Sequence, residues 1–344
     1  MSPLSLPSNS LIWVTGSAGF IGYHLAKSLL EEGCSVIGFD GFTDYYDVSL
    51  KRDRHEILSS YDNFTAIDGF LEDADLLQNS ARKYPPDIMV HLAAQAGVRY
   101  SLQNPRAYLQ SNLVGAFNVL EVSREAGVRH LLCASSSSVY GNNSTLPFKE
   151  GDATNTPLSL YAATKIANES LGYSYAHSWG LSTTMMRFFT VYGPWGRPDM
   201  ALFKFVDAML SDACIDVFND GNMARDFTYV ADVVRAIRLL MQLPPGDEGK
   251  REKETSGTLN TEVPFRAVNI GNASKIALTD FIGAIERVLN VRAKKSYRPM
   301  QLGDVRETSA DVALLESLIG YRPSTDIEEG VGQFINWYRA YYKR

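Results

Sequence analysis

The segment Val14-Thr-Gly16-Ser-Ala-Gly19-Phe20-Ile21-Gly22 restricts what this chain can fold into more than any other. It follows an apolar run, Leu11–Thr15, and opens an amphipathic stretch, Phe20–Glu32. Glycines spaced in this way between a strand and a helix permit a tight turn, close approach of backbone to a pyrophosphate, and close packing of helix on strand. The first N–H groups of the helix and the positive end of its dipole then face an anion. Asp40 stands at the end of the next apolar run, Ser35–Phe39. A carboxylate about 20 residues past the glycines accepts both hydroxyls of an adenosine ribose and repels a 2′-phosphate. The combination selects NAD over NADP.

The rest of the chain extends this start. Further apolar runs at Ile88–Leu92, Leu131–Ser135 and Thr183–Phe188, with a weaker one near Phe64–Ile67, alternate with amphipathic stretches such as Asn104–Ala126. That alternation predicts an α/β protein with a doubly wound, Rossmann-type parallel sheet. Pro105 enters the long helical stretch and Gly127 ends it. After Thr190, the breakers Gly193, Pro194, Gly196 and Pro198 change the texture. The expected division is an NAD-binding domain over 11–190 and a smaller mixed α/β lobe for the substrate over 191–344. Segments near 226–242 and 266–270 return to the first domain. Leu243–Pro264, polar and rich in Gly, Lys, Glu and Thr, reads as a surface loop.

Composition excludes several classes. A net charge of −6 argues against a nucleic-acid partner. No apolar run is long enough to span a bilayer, and the first ten residues lack a cationic signal pattern. Cys34, Cys133 and Cys214 are scattered and the five histidines form no cluster, so a reducing cytoplasm and no metal are expected.

Chemistry concentrates in Ala134-Ser-Ser136-Ser137-Ser138-Val-Tyr-Gly141 and Tyr161-Ala-Ala-Thr-Lys165. A phenol and an ammonium one helical turn apart share a face, and a serine at a strand end can relay a proton. Oxidation of a sugar alcohol needs such a set, with the ammonium drawing the phenol pKa down from about 10. The spacing alone is cheap, since Tyr23 and Lys27 also fit it. Only Tyr161 and Lys165 follow the serine-bearing strand and so converge with it.

These motifs resemble the extended branch of the short-chain dehydrogenase/reductase superfamily, the NAD-dependent sugar-nucleotide epimerases and dehydratases. His91-Leu92-Ala93-Ala-Gln95 is similar to that branch's cofactor-lining segment, and Asn112 to its helix asparagine. Aligning Val139-Tyr140-Gly141 with the family's V-Y-G places the relay hydroxyl on Ser136. Relatives commonly carry an Asp beside the adenine where this chain has Phe70, which leaves that contact open between Asp68, Glu72 and neither. Dehydratases carry Asp-Glu before V-Y-G, and the related decarboxylases a Glu. Here both positions are serines, Ser137 and Ser138, a set suited to epimerisation rather than elimination.

Arg225-Asp-Phe-Thr-Tyr-Val230 resembles the family's diphosphate-binding R-D-F-x-Y-V, and Gln301-Leu-Gly-Asp304 its R-x-G-D, in which the Asp holds a ribose hydroxyl. Gln301 replaces the Arg of that pattern, and Ala231 an Asp. The stretch Arg187–Ala201 with Gln95–Leu102 is similar to UDP-glucuronate 4-epimerases. The resemblance implies reversible C4 epimerisation of UDP-glucuronate through a 4-keto intermediate with tightly held NAD, in a homodimer. A C6 carboxylate would find a cation in Arg197 and hydroxyl donors in Thr190, Ser137 and Ser138. Arg99 faces either the diphosphate or a surface acid. The rivals are a 4-epimerase of neutral UDP-sugars, a UDP-glucuronate decarboxylase, and a non-catalytic sensor of the same fold.

Overall fold

The computed structural model describes residues 10–246, 262–301 and 303–344. Its strands are β1 (Leu11–Thr15), β2 (Ser35–Asp40), β3 (Phe64–Asp68), β4 (Ile88–His91), β5 (His130–Ser136), β6 (Thr183–Phe188), β7 (Thr190–Tyr192), β8 (Cys214–Phe218), β9 (Ala224–Tyr229), β10 (Phe265–Ile270), β11 (Lys275–Ala277) and β12 (Lys294–Arg298). Seven form one sheet in the order β10-β6-β5-β4-β1-β2-β3, with every pair parallel. The doubly wound architecture expected from the sequence is present. The order reverses between β1 and β4, which opens a crevice beyond their carboxyl ends.

Burial explains why some strands are plain in the sequence and one is not. The central β4 and β6 are buried at every residue, as a sheet covered on both faces requires. Along β1, Ile12 and Val14 join the apolar layer on one face and Trp13 the layer on the other. The edge strand β3 is half-buried and alternating, hence its weak apolar signal. Two smaller sheets, β11-β9-β7 and β12-β8, make the second lobe.

The stretch Asn104–Ala126 is not one helix. Pro105–Tyr108 leads into a π-helical turn, Leu109–Val114, and only then into Gly115–Glu125. Asn112 sits in the wide turn with its side chain buried against the end of β4, a placement that local periodicity does not encode. Most of the polar stretch 243–264 lies outside the described residues. Among the described residues no helix is long and apolar enough to cross a membrane.

Candidate active site

The glycine turn stands at the carboxyl end of β1. Gly16 has φ +74°, and a Cβ added there would lie 2.8 Å from the Ala93 nitrogen. A Cβ at Gly22 would lie 2.0 Å from the Gly16 carbonyl oxygen, so neither position accepts a side chain. The Gly16 amide donates to the Phe39 carbonyl at 2.7 Å, drawing together the ends of β1 and β2. Asp40 accepts from the N–H groups of Ala18 and Phe42, both at 2.9 Å.

The resulting cleft has a volume of about 260 Å³. Gly16, Gly19, Phe20, Ile21, Gly22, Asp40, Leu92, Ala93 and Gln95 all line it. A cradle that one Cβ would fill, a helix N-terminus and an acid at the next strand end fit a dinucleotide's pyrophosphate and ribose. Asn112 stands apart from that wall. Its amide accepts from the Gln95 N–H at 2.8 Å and donates to the Gln95 carbonyl and the Thr164 hydroxyl, both at 3.1 Å. It therefore clips the 92–95 segment to the Tyr161 helix. Phe70 and Glu72 are on the wall, and Asp68 is not. Lys51, which carries no motif signal, also reaches the cleft, with its ammonium held by the Thr43 carbonyl and hydroxyl at 2.6 and 2.7 Å.

Ser159 caps the helix Leu160–Trp179 by accepting the Ala162 N–H at 3.1 Å, which sets Tyr161 in the first turn and Lys165 one turn later. Tyr161, Lys165 and Ser136 share the cleft. The Lys165 ammonium donates to the Ala134 carbonyl at 2.9 Å and lies 5.9 Å from the centre of the Tyr161 ring. Burial brings Lys165 down to about 8, against smaller opposing pulls from Cys133 and Glu169. Burial pushes Tyr161 above its ordinary value, opposed by a hydrogen bond with Ser136 and by the Arg197 charge. This reverses the direction expected from the sequence. The ammonium is turned to Ala134, and desolvation outweighs the charges that favour the phenolate. Ser136 accepts the Ser138 N–H at 3.1 Å, and Ser137 and Ser138 are half-buried in the following 3₁₀ turn.

Glu169 extends the same helix face at i+8 from Tyr161. Its carboxylate accepts from the Ser135 hydroxyl at 2.6 Å and from the Arg187 fork at 2.9 and 2.7 Å, all buried. The network pins the Tyr161 helix to β5 and β6. The stripe Tyr161, Lys165, Glu169 was the available sequence signal.

Arg197 reaches the cleft from the turn after β7. Its guanidinium is forked onto Asp199 at 2.9 and 2.6 Å, and Asp199 also accepts the Tyr45 hydroxyl at 3.1 Å. Burial opposes the Arg197 charge, but Asp199 overrides it and raises the pKa. Thr190 lines, with Arg197, an adjoining cavity of about 40 Å³. Arg99, Arg225, Gln301 and Asp304 are absent from the glycine-turn cleft. Arg99 pairs with Asp304 at 2.9 Å. Arg225 donates to the carbonyls of Ala224, Val305 and Arg306 at 3.0, 2.6 and 2.9 Å, so its fork clamps backbone. The Gln301 side-chain oxygen is buried with no hydrogen-bond partner among the described residues. Among those residues, no group of three or more His, Cys, Asp or Glu is placed to hold a metal ion.

Fold and cleft together define a Rossmann-type, dinucleotide-dependent enzyme whose cleft brings Ser136, Tyr161 and Lys165 together. Residues 12–253 match the model of the NAD dependent epimerase/dehydratase family, and the chain belongs to that family. It is 49% identical to a probable UDP-glucuronate 4-epimerase of Rhizobium meliloti, over 96% of this chain and 97% of the relative. The UDP-glucuronic acid 4-epimerase of Bacillus cereus, solved with UDP-glucuronic acid and NAD, superposes with a TM-score of 0.86 at 29% identity, over 96% of this chain and all of that one. A UDP-glucose 4-epimerase from Thermotoga maritima, solved with UDP-glucose, gives a TM-score of 0.83 at 28% identity, over 96% and 99% of the two chains.

Proposed function

We propose that the protein interconverts UDP-glucuronate and UDP-galacturonate by epimerisation at C4. The observation that carries this reading is the Arg197 guanidinium, on the same cleft wall as Tyr161, together with the relatives named above. Bound NAD supplies the reversible hydride acceptor, and it is held by the glycine turn, Asp40 and the Leu92–Gln95 wall. Tyr161, as the phenolate, takes the proton of the C4 hydroxyl with Ser136 bridging; the Ser136 hydrogen bond, the Arg197 charge and the Lys165 ammonium 5.9 Å from the ring favour that phenolate against burial. The 4-keto sugar then turns about its anchored diphosphate and presents its other face. Tyr161 returns the proton to the same oxygen, so nothing is consumed.

Arg197, Thr190, Ser137 and Ser138 hold the C6 carboxylate in this scheme. The 4-keto uronate is a β-keto acid, which loses CO₂ when the C5–C6 bond aligns with the ketone π system. Hydrogen bonds that keep the carboxylate near the ring plane suppress that loss. Arg99, Arg225, Gln301 and Asp304 serve the uridine diphosphate. Residues 11–190, with 230–242 and 266–270, form the NAD-binding domain in this reading, whereas Ala224–Tyr229 joins the second lobe's sheet instead of returning to the main one, and 191–344 supply most of the remaining contacts.

One observation favours a neutral UDP-sugar instead: Arg197 already has a carboxylate partner in Asp199. Turnover of UDP-glucuronate, UDP-glucose and UDP-N-acetylglucosamine, measured side by side, separates the two. The uronate reading requires kcat/KM to be highest for UDP-glucuronate, and a faster neutral sugar overturns it.

The reading includes a cytoplasmic homodimer. The adjoining helices Gly115–Glu125 and Leu160–Trp179, with the π turn before the first, carry the exposed apolar residues Leu109, Val114, Phe117 and Tyr173. Two-fold pairing would cover that face, and light scattering on the purified protein measures the mass directly. The three cysteines stand as separate thiols, which suits a reducing compartment.

A further inference from the structure

Arg54, on the helix Val48–Ser59, is fully buried, and its guanidinium meets no carboxylate among the described residues. Burying a charge in this way is unfavourable unless polar groups surround it. Those groups come from two distant parts of the chain. One nitrogen donates to the Ala18 carbonyl and the Tyr46 hydroxyl, both at 2.9 Å. The other donates to the Trp195 carbonyl at 2.5 Å and, more weakly, to Gly196 at 3.5 Å. Ala18 lies inside the glycine turn, and its N–H holds Asp40. Trp195 and Gly196 immediately precede Arg197.

The turn that carries Arg197 is fixed from its other side as well. Trp195 adopts a left-handed backbone, φ +58°. Its ring packs against Tyr23, Trp337 and Tyr341, with centroids 5.4, 5.3 and 5.1 Å away. Aromatic packing sets the depth of the turn, and Arg54 sets its distance from the glycine loop. A planar fork with five donors can span two elements in this way, whereas an ammonium on a flexible stem cannot.

We propose that Arg54 is a positioning residue for substrate recognition, tying the cofactor-binding turn to the Arg197 turn so that the carboxylate-binding cation keeps a set distance from the cofactor. This rests on reading Arg197 as the partner of the uronate carboxylate. Arg54 touches neither ligand in this account and acts only through the two backbones it joins.

The test is a double-mutant cycle on the NAD-loaded enzyme, using Arg54→Lys, Arg197→Ala and the pair. Arg54→Lys is expected to raise the KM for UDP-glucuronate about fivefold to tenfold while kcat falls less than threefold. Inhibition by UDP, assigned above to Arg99, Arg225, Gln301 and Asp304, none of which lines the glycine-turn cleft, stays unchanged. In the Arg197→Ala background the same substitution should have no further effect on that KM. Additive losses, an unchanged KM, or a loss that merely follows a lower melting temperature and lower NAD content would overturn the proposal. An effect of Arg197→Ala with none from Arg54→Lys would remove this inference alone, and no effect from either would remove the uronate reading with it. Should Arg54→Lys not accumulate folded, Tyr46→Phe carries the test. It removes only one acceptor, and a twofold to threefold rise in KM that vanishes beside Arg197→Ala is expected. An unchanged KM there overturns the proposal equally.

Discussion

The glycine-turn side of the cleft and the Arg197 side are built in opposite ways. Around the glycine turn, regular elements hold the groups: β1, β2 and β4 end together, and backbone N–H groups fix Asp40. On the Arg197 side the charged groups sit on loops and partner one another, Arg197 with Asp199 in the cleft and, outside it, Arg99 with Asp304. A site assembled from strand ends is positioned by the sheet. A site assembled from loops is positioned by side-chain contacts, here the Arg54 fork, the Trp195 packing and the Arg197–Asp199 pair, and that pair must yield to or accommodate an incoming anion.

That contrast can be broken most sharply at Tyr161. Tyr161→Phe removes one oxygen from a pre-formed wall, so turnover is expected to fall by about 10² to 10⁴ while fold and NAD content persist. Near-normal rates would show that the regular side of the cleft does not carry the chemistry. On the loop side, Arg197→Ala should lower kcat/KM for UDP-glucuronate by roughly tenfold to a hundredfold, the equivalent of about 1.5–3 kcal/mol for a charge-assisted hydrogen bond. A decarboxylated pentose product should accumulate beside it. Equal losses on neutral UDP-sugars would move Arg197 from specificity to the fold.

A pH profile sharpens the comparison. Burial sets Lys165 at about 8, so its ammonium is present below that pH and lost above it. Turnover is therefore expected to decline on the alkaline side of about pH 8. Lys165→Met, which lacks the ammonium at every pH, should be slower throughout and show no such decline; an unchanged alkaline limb in that variant would assign it to another group. The smallest effect is expected at Arg99, whose side chain is nearly half exposed. Arg99→Ala should change stability by less than about 1 kcal/mol, measured by denaturant unfolding, because an exposed ion pair is screened. A larger loss would mean that the Asp304 pair is structural.

Legibility in the sequence divided along the same line. Gly16, Gly22 and Asp40 could be read because the chain brings them together over one strand-helix-strand unit, where spacing stands for distance. Tyr161 and Lys165 could be read because one helical turn fixes their separation. Asp199 escaped a role although it lies two residues from Arg197, since no local periodicity marks which acid a loop arginine will fork onto. Arg54 escaped because most of its partners lie on other elements, with Trp195 141 positions away, and Lys51 because nothing in the pattern marks the Thr43 loop before its helix as its partner. The lowering of Tyr161 by Lys165 was a pairwise expectation. Desolvation, which depends on everything packed around the ring, reversed it.

Proton NMR of UDP-glucuronate incubated with the purified protein in D₂O, with no NAD added, follows the C4 epimerisation itself. UDP-galacturonate is expected to approach equilibrium with UDP-glucuronate, with protium retained at C4, because the hydride leaves and returns without meeting solvent. Deuterium at C4, a pentose as the main product, or a spectrum that never changes despite bound NAD would contradict it.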